Sequence, residues 1–200
     1  SEGADHFYRK FLERKVRSAT VTIGLVTPQR ARSYGFAFPS WKRVVESALR
    51  ADYSKIATTG RKLRELLDGT SHGVHVTSKN GTDLKFRLAA RRCMVDDGIL
   101  DEEDLSVGVF QTTLPAGTVY VAPEETSANG TVVFDLPIPQ RGKLIRGLTW
   151  SFENGQVKQF TAAKNGDMII PLWERSSGDK SQFGVFGLGI NHAAKPGFLD

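Results

Sequence analysis

A change of hydrophobic rhythm near residue 73 limits what this chain can fold into. Before it, apolar residues recur three and four positions apart. After it they alternate, and the alternation is broken at Asn80-Gly81, Asn129-Gly130, Asn154-Gly155 and Asn165-Gly166. A period of 3.6 buries one stripe of a helix, and a period of 2 buries one face of a strand. Asn-Gly readily takes the left-handed conformation that a tight hairpin turn needs. The switch therefore predicts an α/β fold of the α+β kind, with N-terminal helices packed on a mainly antiparallel, barrel-like β-sheet region. The expected division is a helical segment with one short strand over residues 1–70 and a β-rich region over 71–200, together forming one continuous unit.

Phe7, Phe11, Leu12 and Val16 mark the first helix, and Val21 to Val26 a short strand. Thr27 reads as an N-cap before Pro28, with Gly35 closing that helix. Ser40 is the expected cap of the next, whose inward face is Trp41, Val44, Val45, Ala48 and Leu49. A further helix is predicted from about Tyr53 to Asp68, with Leu63, Leu66 and Leu67 inward and Gly69 past its end. Beyond it, strands are predicted at 74–78, 82–88, 107–112, 118–122, 131–135, 147–153, 157–163 and 167–172, with 96–104 as an acidic surface loop.

Composition narrows the function. With 200 residues and a 40% hydrophobic share, the chain can bury a core without disulfides. Its one cysteine, Cys93, cannot form an internal bridge, which suits a reducing, cytoplasmic setting. No apolar run approaches the roughly 20 residues needed to cross a bilayer, and Ser-Glu-Gly-Ala-Asp at the start is no secretory signal. Neither a membrane nor a nucleic acid is an expected partner. The net charge of +5 is concentrated in Arg9, Lys10, Arg14, Lys15 and Arg17 and again in Lys55, Arg61, Lys62 and Arg64, which read as solvated helix faces. Asn80-Gly81-Thr82 and Asn129-Gly130-Thr131 fit a glycosylation sequon but read as turns.

Candidate chemistry is sparse. Of the four histidines, only His72 and His75 are close in sequence, and residues three apart on a strand face opposite ways, so they make a poor metal pair. Cys93 follows Arg91 and Arg92, which favours a thiolate, but a buried inert thiol is the plainer reading. The segment from Gly184 to Gly189 lacks the Lys-Ser/Thr of a phosphate loop; close strand packing explains its glycines. Glu124 and Glu125 are adjacent, so at most one would face a site.

The stretch from Pro115 to Asp135, PAGTVYVAPEETSANGTVVFD, resembles a signature of the aminopeptidase T family of metallopeptidases. Its flanks agree in order: Asn80 to Leu84 resembles a "GTDL" strand, Gly147-Leu148 through Gly155 a "GL…FENG" hairpin, and Phe183 to Asn191 a "GELGIGTN" segment. The resemblance implies a homodimeric cytoplasmic enzyme that removes N-terminal residues from peptides with a pair of divalent metals, zinc or cobalt. It implies as ligands two glutamates, then a histidine, then a His-x-Asp pair. Thr118 stands where the first glutamate is expected and Val185 where the second is, and the remaining ligands would fall past Asp200. Glu124, Asn129 and Asn191 are the candidate residues of a substrate loop or cleft. The expectation is thus an aminopeptidase-like scaffold, inactive as this chain stands, with no catalytic or metal-binding residue of its own. A degenerate scaffold that dimerises or binds a peptide or small molecule is one alternative. The other is a mononuclear Fe(II) ring-cleaving dioxygenase of the 2,5-dihydroxypyridine type, which resembles the same scaffold and dispenses with both glutamates.

Overall fold

The computed structural model describes residues 2–22, 26–69, 71–140 and 142–195. Its helical part opens with α1 (Glu2–Glu13), then β1 (Ser18–Val21), α2 (Pro28–Ser33), α3 (Phe38–Leu49) and α4 (Tyr53–Leu67). Thr27 caps α2 as expected, its hydroxyl accepting from the Arg30 amide. Ser40 does not cap α3: Pro39 fixes the first turn, so the helix begins earlier, with Ala37 as a cap lacking a side-chain bond. On α4 the buried face is Ile56, Ala57 and Gly60, continued by Leu63 and Leu67, whereas Leu66 points to solvent at 63% exposure. The strand expected at 21–26 is β1 instead, and residues 23–25 lie outside the described residues.

The β-rich part runs β2 (Gly73–Thr77), β3 (Asp83–Arg87), β4 (Met94–Asp96), α5 (Glu102–Ser106), β5 (Gln111–Leu114), β6 (Thr118–Val121), β7 (Asn129–Val133), β8 (Ile138–Gln140), β9 (Lys143–Ile145), β10 (Thr149–Glu153) and β11 (Gln156–Thr161). A 3₁₀ turn (Gly166–Met168), α6 (Ile170–Arg175) and β12 (Phe186–Gly189) complete it. Two predicted elements change identity. The stretch 167–172 is helical, because Pro171 sits in the first turn of α6 and has no N–H for a ladder. Within 96–104, α5 begins on a capping box in which Asp101 and Asp104 each accept the other's amide, so the strand expected at 107–112 starts only at Gln111.

The strands form open sheets; among the described residues they do not close into a barrel. One sheet has the antiparallel order β11-β10-β7-β3-β2, a second the order β12-β6-β4, and two-stranded pairs β1-β5 and β8-β9 flank them. The β1-β5 pair is parallel. The main core lies between the two larger sheets: Leu84, Phe86 and Phe152 from one meet Val119 and Val121 from the other. Leu63 and Leu67 of α4 pack on the same cluster. Gly60 brings α4 close to the smaller sheet, since a Cβ there would sit 2.4 Å from Val95 Cγ1. A separate cluster of Ala31, Trp41 and Val45 joins α2 to α3, with Tyr34 stacked on Trp41 at 4.9 Å.

Asn129-Gly130 is not the turn expected: both residues lie inside β7, with Gly130 paired to Leu84 and Phe152, and tertiary packing explains this glycine and that of the Asn154-Gly155 turn. At Gly130 (φ +120°) a Cβ would lie 2.1 Å from the Asp83 carbonyl oxygen, and at Gly155 (φ +78°) 1.7 Å from that of Glu125. Both obstacles are backbone. Gly130→Ala should therefore cost at least about 2 kcal/mol of unfolding free energy. Gly73→Ala, where the added methyl meets nothing within 4 Å, should be neutral or stabilising. Paired urea melts check this, and equal midpoints for the two variants would contradict the packing described.

Candidate functional site

Strand β6 is the centre of the candidate site. It lies between β4 and β12, so Asp96, Thr118 and Gly189 form one cross-strand row and Met94, Tyr120 and Gly187 the next. Alternation turns Val119 and Val121 inward, where both are buried, and leaves Thr118 and Tyr120 on the outer face. The glycines of β12 share that outer face. Close packing is not their reason: a Cβ at Gly189 would meet nothing within 4 Å, and one at Gly187 only ordinary contacts at 3.6 Å.

Thr118 lines a cavity of about 510 Å³ together with Ala48, Pro115, Gly117, Tyr120 and Asn191. Val185 does not line it. The register sets Gly189 opposite Thr118 and Phe186 opposite Val121, so Val185, just before β12, lies beyond the far end of β6 from Thr118. It lines a different, apolar cavity. The two positions read as glutamate equivalents thus share no cleft among the described residues. Val185 is also 57% exposed, so a carboxylate placed there would reach water and would not carry a burial penalty.

Asn191 is the hub of the first cavity. Its Nδ2 donates to the carbonyls of Ala48 (3.1 Å) and Ala116 (2.8 Å), and its Oδ1 accepts from the amides of Ala193 (3.0 Å) and Ala194 (3.1 Å). One carboxamide therefore ties the end of α3, the loop before β6 and the exit of β12. Gly117 (φ +124°) permits this, because a Cβ there would lie 2.6 Å from Asn191 Cβ. With all four bonds made, the side chain has little left to offer a ligand.

The other cleft candidates are also committed. Glu124 accepts a two-pronged bond from Arg87, with Nε and Nη2 each 2.7 Å from a carboxylate oxygen, and this holds its pKa below the usual range. Glu125 is likewise lowered, by its own amide and by Arg91 at 2.6 Å. Asn129 Oδ1 accepts from the Asn154 amide and its Nδ2 donates to the Ser127 carbonyl, fastening the loop to the β10-β11 turn. Arg87 and Arg91 give no separate signal in the sequence, because their partners lie 37 and 34 residues away.

Cys93 follows its plainer reading, a buried thiol, and His75 is paired within its own hairpin. His75 Nε2 lies 2.8 Å from Asp83 Oδ1 across the β2-β3 hairpin. Cys93 is fully buried, its thiol pKa pushed up by burial and by the Asp68 charge, so it is no thiolate. No pattern in the sequence points to Asp96. It sits half-buried, accepting from Thr112 Oγ1 at 3.2 Å, and burial raises its pKa against that bond. Among the described residues no group of three or more His, Cys, Asp or Glu side chains is placed to hold a metal ion.

Two outcomes follow from this geometry. Asn191→Ala leaves two carbonyls and two amides without their partner and should cost about 1–3 kcal/mol, read from urea denaturation. A loss within error of zero would mean the hub is not structural. Asp96 has a raised folded pKa, so its contribution to stability is complete below the ordinary aspartate value of about 3.9 and is lost as pH rises through the raised value. Asp96→Asn should accordingly be more stable than the parent at neutral pH, with the advantage vanishing in acid. Thermal melts across pH test it, and a variant less stable at pH 7 would refute it.

Comparison with known proteins gives the family. The sequence profile described as thermophilic metalloprotease (M29) matches residues 33–191. Aminopeptidase AmpS of Bacillus subtilis (strain 168) is 29% identical over 98 residues, 49% of this chain and 23% of that protein. Aminopeptidase 2 of Geobacillus stearothermophilus is 30% identical over 69 residues, 34% of this chain and 17% of that protein. The chain therefore spans about a quarter or less of the length of these relatives. Among solved structures, 2,5-dihydroxypyridine dioxygenase from Pseudomonas putida KT2440 superimposes with a TM-score of 0.54 at 19% identity, covering 73% of this chain and 41% of that one. That likeness concerns the fold alone. Wild-type AmpT from Thermus thermophilus gives 0.49 at 23% identity, covering 76% and 34%. The profile covers most of the chain, in the region that forms both larger sheets, and the protein belongs to the thermophilic metalloprotease (M29) family of aminopeptidases.

Proposed function

We propose that this chain supplies the scaffold and cleft of an M29-type aminopeptidase, and that by itself it neither holds the metal pair nor cleaves peptides. The observation that carries this reading is the neutral lining of the Thr118 cavity. Its polar side chains are those of Thr118, Tyr120 and Asn191, and none is anionic or an imidazole. A dinuclear hydrolase centre needs carboxylate and histidine donors that offset the charge of two cations and bring a bound water near neutral pKa. A hydroxyl and a fully hydrogen-bonded carboxamide do not fit that demand. No catalytic step is therefore derived through a metal on these residues. The dioxygenase alternative has support from fold alone.

The remaining functional expectations fit this proposal. A homodimer is supported by the apolar face of α1, where Phe7, Tyr8 and Leu12 are 68%, 51% and 43% exposed. A reducing, cytoplasmic setting is supported by the lone, buried Cys93. Among the described residues no helix is long and apolar enough to cross a membrane.

Metal analysis decides the central point. After equilibration with zinc or cobalt and desalting, the 200-residue protein should retain well under one equivalent and should not turn over an aminoacyl chromogenic substrate. A tightly held equivalent would overturn the proposal. Thr118→Glu combined with Val185→Glu should also remain inactive, since the cavity lined by Thr118 is not lined by Val185 and a carboxylate at 185 would turn to water. Zinc-dependent turnover by that double variant would show the two positions to be closer than described.

A further inference from the structure

Helix α1 and the link after it carry a surface that the rest of the chain leaves open. Among the described residues, the side chains of this segment are hydrogen-bonded to the body in two places. Tyr8 donates to Gln111 Oε1 at 3.2 Å, and Arg17 Nη2 to Glu102 Oε1 at 3.1 Å. Phe7 and Tyr8 each lie against Phe11, with ring centroids 6.2 and 6.3 Å apart, and the three rings form a shelf. A hollow along it is lined by His6, Phe7, Lys10, Phe11, Arg14 and Val16, all from this one segment. Residues 5–17 hold five Lys and Arg against Asp5 and Glu13, so the shelf is apolar with a basic border. An exposed apolar patch rimmed by polar groups marks an interaction surface.

A second surface beside it has the opposite charge. Residues 96–104 contain six carboxylates and no cation. Asp96, Asp97 and Asp104 line a cavity of about 200 Å³ with Met94, Ile99 and Leu100, of which Met94 and Ile99 are exposed. Its other polar side chains are Gln111, Thr112 and Tyr120, and among the described residues no cation lines it. Burial and neighbouring carboxylates hold all three aspartates above the usual carboxylate range. The volume is below the about 300–1,000 Å³ usual for a small-ligand site and suits protruding side chains. Gln111 lines this cavity and also accepts from Tyr8, so the basic shelf and the acidic cavity lie side by side. The shelf does not fill the cavity of its own chain, which no described residue of the α1 segment lines.

Two complementary surfaces side by side on one chain satisfy each other across a two-fold axis, since each copy then offers what the other needs. We infer that two copies dock reciprocally: the shelf of one seats Phe7 and Phe11 beside Met94, Ile99 and Leu100 of the other, while Lys10 and Arg14 face the carboxylates of residues 97–104. An anionic bilayer is a poorer partner, because the carboxylates beside the shelf would be held against like charge. That a dimer forms rests on the homodimer proposed above. Which surfaces meet does not, since α1 precedes residues 33–191, where the family profile matches.

Sedimentation equilibrium of the whole chain tests this. The unsubstituted protein should be dimeric at micromolar concentration, with a Kd that rises as salt is added. Phe7→Ser changes a residue that is 68% exposed, so folding is little affected. It should raise the Kd at least about tenfold, because a two-fold interface loses the ring twice. Lys10→Glu with Arg14→Glu should leave monomers, and so should Asp97→Lys with Glu102→Lys in a separate chain. Mixing those two variants should restore a dimer, since each negative surface then meets a positive one. A dimer indifferent to salt, to Phe7→Ser and to both reversals would overturn the inference and leave the homodimer standing. A monomer throughout would overturn both, and its binding to phosphatidylserine vesicles would assign the shelf to a membrane instead. If a reversed pair fails to fold, salt dependence and Phe7→Ser still decide.

Discussion

Four residues of β6 organise the structure. Thr118, Val119, Tyr120 and Val121 pair with β4 on one side and β12 on the other, and strict alternation sends the two valines into the core. Burying Val119 and Val121 against Leu84, Phe86 and Phe152 holds the two larger sheets face to face. At about 25 cal/mol per Å² of apolar surface, such side chains are worth roughly 1.5–3 kcal/mol each. A slip of one residue would turn Thr118 and Tyr120 into that core and the valines out, so the register is strongly specified. Everything said of the outer face depends on it, including the distance between Thr118 and Val185.

The polar groups around β6 act mainly as fasteners. Asn191 ties three segments, Asn129 ties the loop after β6 to the β10-β11 turn, and Glu124 and Glu125 are held by Arg87 and Arg91. These are the residues a motif reading offers as a cleft. Much of their hydrogen-bonding capacity is used within the fold. Among the described residues, the buried side-chain polar atom left without a partner is in a different place, on the indole of Trp150 at the inner sheet face.

Much of this fold is legible in the residue order. Hydrophobic rhythm locates α1, α3, α4 and the strands β2, β3, β6, β7, β10 and β11 but not β4, β8, β9 or β12, Thr27-Pro28 marks the start of α2, and the ordered motifs point to the family. Local chemistry also explains the failures. Pro171 overrides a strand-like pattern at 167–172, and the Asp101–Asp104 capping box nucleates α5 in a stretch that reads as loop. Leu66 reads as inward by composition, but the stripe set by Ile56, Gly60 and Leu63 turns it to solvent.

Helix-then-sheet order, the turns near Asn80-Gly81 and Asn154-Gly155, and family membership are written in the chain itself, because they depend on neighbours a few residues apart and on short ordered motifs. Which residues share a cavity is settled by the folded arrangement alone. Thr118 and Asn191 meet across 73 positions of chain, while Val185, closer in number to Asn191, lies over another surface. Strand pairing sets such distances, and pairing is a property of the whole sheet that no local pattern encodes.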